Sequence, residues 1–257
     1  MNRKRALIAD TFCLMKKRRS GADSVNGESQ DGVTDIRSSL QCLMMLFSRK
    51  LFNDTLPPVV LKHQLYSLHN DKTLVDKQNE MRENGELLMF QMGFDSEAFA
   101  LVFSEDYRSK VLQGQAGRET LGTVEKFLDK LIPACSELSF NKEKMLKEFL
   151  FTDSEITQLV KSGVLTVRDA GSWWLSIPNS GKFIKYFIKG RKTVLGMVKK
   201  SKYGEILKTE LEGRHTPAQV KFQMKYHIHD IVGAELVECI QTTSGTVLRY
   251  VDGNNLS

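Results

Sequence analysis

The sequence predicts an α+β chain in which one small unit, two or three helices followed by a β-hairpin, recurs three times in tandem. Three observations predict it. Gly85, Gly163 and Gly233 each close a helical stretch, and they stand 78 and 70 residues apart. After each glycine come two apolar or β-branched runs around a turn-forming segment, the pattern of a hairpin. Before each lie segments whose apolar residues recur at helical spacing.

The first 34 residues stand apart. Lys4-Arg5, with Arg3 beside them, is followed after ten residues by Lys16, Lys17, Arg18 and Arg19. Two basic clusters at that separation have the form of a bipartite nuclear localisation signal, which predicts a nuclear protein. A basic tail that touches nucleic acid non-specifically is the other reading, and the two can coexist. Residues 20–34, SGADSVNGESQDGVT, have almost nothing to bury and read as a disordered linker. Residues 1–34 are therefore expected to be a disordered basic tail.

The first unit is placed at 35–115. DIRSSLQCLMMLF is apolar at helical spacing, VVLKHQLYSL follows the Pro57-Pro58 break, and TLVDKQNEMRENG leads to the strands ELLMFQM and AFALVF. The second is placed at 116–179, with RETLGTVEKFLDKLI, a short LSF, NKEKMLKEFL and DSEITQLVKSG ahead of VLTVRD and SWWLSI. The third is placed at 180–257, with a long basic stretch, GEILKTEL, PAQVKFQM and YHIHDIVG ahead of AELVECIQ and TVLRYV. Each glycine is expected to end its helix in the left-handed conformation. Two or three helices and a hairpin in about 70 residues is the winged-helix form of the helix-turn-helix.

Of 257 residues, Lys and Arg number 37 and Asp and Glu 31, a net charge of +6. The excess is localised: residues 1–19 carry seven basic residues and one acid, and residues 182–208 carry nine and one. Localised positive charge points to a polyanionic partner. Cys13, Cys42, Cys135 and Cys239 are widely spaced and read as reduced thiols of an intracellular protein, not a disulfide framework or zinc site. No apolar run approaches the ~18 residues that span a membrane, and no membrane association is expected.

Residues 182–202, KFIKYFIKGRKTVLGMVKKSK, hold eight lysines and arginines and no acid. On a helix, Phe183, Ile184, Phe187, Ile188, Val194, Leu195 and Val198 fall on one arc, and they need burial. Lys182, Lys185, Lys189, Lys192, Lys199 and Lys200 fall on the other; only Arg191 and Lys202 stray onto the apolar side. Gly190 is the point at which the helix could bend or stop. A plain solvated face normally mixes charge signs, because like charges at i,i+4 cost a helix a few tenths of a kcal/mol per pair. The uncompensated lysines point to phosphates, with an acidic protein, a membrane surface or mere solvation as alternatives. Lysine outnumbers arginine, which favours backbone neutralisation over base reading. The candidate DNA contacts are Lys182, Lys185, Lys189, Arg191, Lys192, Lys199, Lys200 and Lys202, and Arg214 could extend the patch. The helices just before the first two hairpins are poorly basic and are expected to pack or to meet protein.

Catalytic signatures are missing. GQAG at 114–117 is no phosphate loop, YHIHD at 226–230 is not the kinase base motif, and there is no DFG or GxSxG. No enzyme, cofactor or metal is expected; His227 and His229, with Cys239 the only nearby third ligand, read as ordinary polar residues. Of Trp173-Trp174 at the start of a strand, one ring should face the core and one outward.

LFNDTLPPVVLKHQLYSL, MGFDSEAFALVFSEDYR, LTVRDAGSWWLSIPNSGKFIKYFIKGR and CIQTTSGTVLRYV resemble the family long called serine/threonine-protein kinase 19 and renamed winged-helix repair factor. The resemblance spans residues 35–251 and is to its vertebrate members. It implies three winged-helix domains, a nuclear protein without genuine kinase activity, and double-stranded DNA binding, with RNA binding also in view. It further implies a role in transcription-coupled nucleotide excision repair, positioning the repair helicase factor TFIIH near stalled RNA polymerase II, and homodimers. DNA contact by the family's basic helix region would here involve Lys185, Lys189, Lys199, Lys200 and Arg214. His215 stands where the family has an arginine. A serine/threonine kinase, as the older name says, and a protein-only adaptor are the alternatives.

Overall fold

The computed structural model describes residues 36–69, 73–131 and 137–251; the two N-terminal basic clusters lie outside them. It is mixed α and β, with three small antiparallel sheets. One order of elements recurs three times, a helix, a short strand, two helices and two hairpin strands, with the helix Ser104–Gln115 added between the first set and the second. In the first third it is α1 (Ile36–Met45), β1 (Val60–Leu61), α2 (Lys62–Tyr66), α3 (Thr73–Glu83), β2 (Leu87–Gln91) and β3 (Phe99–Phe103). The second third has α4 (Ser104–Gln115), α5 (Leu121–Leu131), β4 (Ser139–Asn141), α6 (Lys142–Lys147), α7 (Asp153–Ser162), β5 (Leu165–Asp169) and β6 (Ser172–Leu175). The last third has α8 (Gly181–Lys199), β7 (Glu205–Leu207), α9 (Lys208–Gly213), α10 (Met224–Gly233), β8 (Val237–Thr242) and β9 (Gly245–Tyr250).

The sheets are ordered β1-β3-β2, β4-β6-β5 and β7-β9-β8. Each hairpin thus gains a short third strand. These strands lie in VVLKHQLYSL, LSF and GEILKTEL, two of which read as wholly helical in the sequence. A strand of two or three residues is too short to show period-two alternation, so the helical signal that follows hides it.

Local chemistry sets the helix ends. Thr152 accepts from the Glu155 backbone N–H while the Glu155 carboxylate accepts from the Thr152 N–H, a capping box that starts α7. Gly163 ends α7 at φ 81, and Gly85 follows α3 at φ 71, both left-handed as expected. Gly233 does not behave this way. It lies inside α10, and a Cβ there would sit 1.8 Å from the His63 carbonyl oxygen. Its role is close approach of α10 to α2, and the left-handed position falls instead on Glu235, at φ 55.

The core is not three separate cores. Strands β2 and β3 are buried on both faces: Leu88, Phe90, Ala100 and Val102 point into a central cluster, while Leu87, Met89 and Leu101 point into the cluster under α1. Period-two alternation delivers each strand to two layers. The central cluster draws on all three thirds, including Phe47, Phe52, Phe127, Phe140, Phe183, Phe187, Phe222 and Tyr226. The third cluster, around Val194, Val198, Ile228 and Leu248, belongs to the last third alone. Trp173 packs against the central cluster, whereas Trp174 carries the Arg168 guanidinium 4.5 Å above its ring.

Candidate nucleic-acid interface

Helix α8 runs unbroken through Gly190. The glycine is there for contact: a Cβ would lie 2.2 Å from His227 Nε2 on α10. The buried face is Phe183, Phe187, Gly190, Val194 and Val198, at spacings of three and four. Its first half enters the central cluster, where Phe183 stands 6.0 Å from Phe47 and 5.5 Å from Phe222. Its second half enters the cluster of the last third. Ile188, placed on the apolar arc by helical spacing, is 42% exposed, so the buried stripe is narrower than predicted.

The opposite face carries the lysines. Lys182, Lys185, Lys189, Lys192, Lys199, Lys200 and Lys202 are all exposed. From Lys182 to Lys199 the helix rises about 26 Å at ~1.5 Å per residue, as long as about eight base-pair steps. Lys185, Lys189, Lys192 and Lys200 form no ion pair among the described residues. Lys182 anchors one end, its Nζ donating to the Leu51 carbonyl at 3.3 Å and lying 5.7 Å from the Tyr186 ring. Leu51 belongs to a 3₁₀ turn, Arg49–Phe52, that brings exposed Arg49 and Lys50 beside this end of α8. At the other end Lys199 lies 4.7 Å from the Tyr250 ring and Lys202 lies 5.1 Å from the Tyr203 ring.

Two residues grouped with these by sequence are engaged elsewhere. Arg191 turns inward: its guanidinium donates to both carboxylate oxygens of Asp230, at 2.8 and 2.5 Å, and stacks 4.7 Å from the Phe187 ring. Its side chain is 19% exposed, and the structure separates it from the lysine face. Arg214, at the end of α9, donates to Glu210 at 2.7 Å.

Asp230 is fully buried. Burial raises its pKa, but hydrogen bonds from Arg191 and from His63 Nε2, the latter at 2.6 Å, outweigh that and hold it below the usual carboxylate value. His63 lies on α2, so this cluster ties the last third to the first. Gln64 Nε2 donates to the Tyr226 carbonyl at 2.9 Å, Tyr226 Oη donates to the Val59 carbonyl at 2.8 Å, and Ser67 Oγ bonds His229 Nδ1 at 2.7 Å. Residues 226–231 are all buried, against α2, α8 and the cluster of the last third. Helix α10 occupies the position from which a winged helix usually reads the major groove, but here it faces protein. No sequence signal marks this seam, whose partners are more than 160 residues apart. His227 and His229 sit on this helix, and among the described residues no group of three or more His, Cys, Asp and Glu could hold a metal. Among the described residues, no helix is long and apolar enough to cross a membrane.

A family model described as inactive serine-threonine protein kinase 19 matches residues 43–250. The chain belongs to this family. Its relatives include the protein named winged helix repair factor 1 in Homo sapiens, 51% identical over 247 residues, covering 95% of this chain and 96% of the relative. The protein of that name in Mus musculus is 48% identical over 253 residues, covering 98% and 100%. The one in Xenopus laevis is 44% identical over 256 residues, covering 97% and 98%. The family description says inactive, and the relatives' names say winged helix and repair.

Proposed function

We propose that this chain is a non-catalytic nuclear protein that binds double-stranded DNA through the lysine face of α8 during DNA repair. One observation carries the reading: a row of lysines, several with no acid to relieve them, on a helix whose other side is fixed in two hydrophobic clusters. A face so anchored cannot rotate to relieve its repulsion, and phosphates are the partner that neutralises it over this length. Lys182, Lys185, Lys189, Lys192, Lys199, Lys200 and Lys202 form the proposed surface, with Arg214 at its edge and Arg191 as an internal brace. The three repeated units act as tandem winged-helix domains at 35–115, 116–179 and 180–257. The relatives' name supports placing the activity in repair, and the finer role is transcription-coupled nucleotide excision repair, holding TFIIH near stalled RNA polymerase II. The tail clusters Arg3–Arg5 and Lys16–Arg19 would direct nuclear import, and the protein would act as a homodimer.

The test is the salt dependence of duplex binding. Lys185→Glu, Lys189→Glu and Lys192→Glu together should weaken binding to unrelated duplexes alike. They should also reduce the slope of log affinity against log salt by about 0.9 for each phosphate that is no longer neutralised. All three side chains are exposed, so the fold is retained. Unchanged low-salt affinity in the folded triple variant would remove the reading.

A further inference from the structure

We propose that Tyr203 is a stacking platform for an unpaired DNA base, so that this surface favours melted or junction DNA over intact duplex; the inference rests on the lysine-face reading above. Tyr203 lies in the 3₁₀ turn Lys202–Gly204, just beyond the C-terminus of α8. It is 83% exposed, and its hydroxyl has no hydrogen-bond partner among the described residues. Its backbone is left-handed, at φ 60, and Gly204 follows at φ 67. The Gly204 N–H closes the turn on the Ser201 carbonyl at 2.9 Å.

A left-handed conformation costs a non-glycine residue about 1–2 kcal/mol. Leu150 carries the same strain at an exposed position; what sets Tyr203 apart is an aromatic ring among cations, with Lys202 Nζ 5.1 Å from it. A buried tyrosine would explain the conformation and an exposed glycine would avoid it. What the turn does provide is an exposed aromatic ring in contact with Lys202 and close in sequence to the exposed Lys199 and Lys200. That pairing of cations with a projecting ring is how proteins hold unpaired nucleic acid, because each base offers a flat face to stack on. Within a duplex those faces are covered by neighbouring bases, so the ring has a partner only where the helix is opened. The cations neutralise backbone in either case.

The experiment measures binding of the full chain to three labelled probes by fluorescence anisotropy. These are a duplex, the same duplex with a central non-complementary bubble, and the duplex carrying 2-aminopurine in the bubble. Wild-type protein should prefer the bubble and quench the 2-aminopurine. Tyr203→Gly, which suits the left-handed turn, should lower bubble affinity by about tenfold, since stacking on one base is worth about 1–3 kcal/mol, and abolish the quench while leaving duplex affinity unchanged. Tyr203→Phe should keep both. Equal affinity of wild type for duplex and bubble, or a Tyr203→Gly variant that still prefers and quenches the bubble, overturns the inference while leaving duplex binding by the lysines intact. Should Lys185→Glu with Lys189→Glu leave all probes equally well bound, the lysine-face reading fails and this one fails with it.

Discussion

Acidification from pH 6.5 to pH 5 should loosen the packing of α10, where His229 meets the end of α2 and His227 meets α8. His227 is buried, and desolvation lowers its pKa to about 4, with Asp230 pulling it up and Arg191 pushing it down more weakly. His229 is also buried, and desolvation, reinforced by Lys208 and Lys225, lowers its pKa to about 3. Both are therefore neutral in the folded state at pH 5, while in the unfolded chain each titrates near 6.5. Falling pH favours the state that binds more protons, which is the unfolded one. The stabilisation is complete above pH 6.5 and is lost as pH falls towards the folded-state values. Over the ~1.5 pH units between 6.5 and 5 the unfolded chain holds about one more proton per histidine than the folded one, which costs about 2 kcal/mol each and about 4 kcal/mol together. His69, lowered by partial burial, acts in the same direction. Urea unfolding at pH 7.5 and pH 5 measures the difference, and His227→Leu, which removes one titrating ring, should roughly halve it. Equal unfolding free energies at the two pH values, or a full-sized loss in His227→Leu, would refute the assignment of the pH dependence to these buried rings.

Other outcomes follow from single contacts. Gly233→Ala drives a methyl to 1.8 Å from the His63 carbonyl oxygen. The overpacking costs about 1–3 kcal/mol against about 1 kcal/mol of helix propensity gained, so thermal melting should show a lower midpoint. Arg191→Ala leaves the Asp230 carboxylate, 0% exposed, without its bidentate partner. Breaking a buried pair costs about 3–5 kcal/mol, so this variant should unfold at much lower urea, and Arg191→Lys should recover only part of the stability. Leu150 has φ 55 and is 66% exposed; Leu150→Gly relieves the left-handed strain and should leave the melting temperature equal or slightly raised.

The repeat is legible in the sequence because glycines, turns and alternating strands act locally. Gly85 and Gly163 serve as their positions in the pattern require, and the hairpins pair as expected, Met89 opposite Leu101 and Cys239 opposite Leu248. The two-sided character of α8 is legible for the same reason. Gly190 and Gly233 mislead because their purpose is a neighbour far along the chain, and a glycine required for close approach looks the same in sequence as one required for a turn. Arg191 misleads differently. Its place on the apolar arc already sets it apart from the lysines, but its acid, Asp230, lies 39 residues on, so nothing near it in the chain names its partner. Tyr203 gives no signal at all, because a lone tyrosine in the run KKSKYG has no period to betray it.

The helix that carries the cations is also shared between two cores. Phe222 and Tyr226, supplied by the last third, complete the cluster begun by Phe47 and Phe52, with Phe222 5.8 Å from Phe47 and 5.0 Å from Tyr226. During synthesis the centre of the protein therefore stays open until nearly nine-tenths of the chain has left the ribosome, since residue 226 of 257 must emerge first. The early repeats would wait with their aromatic faces uncovered. A premature stop before Phe222 leaves an unfinished core, and such a product should be cleared by proteolysis instead of persisting as a smaller working protein.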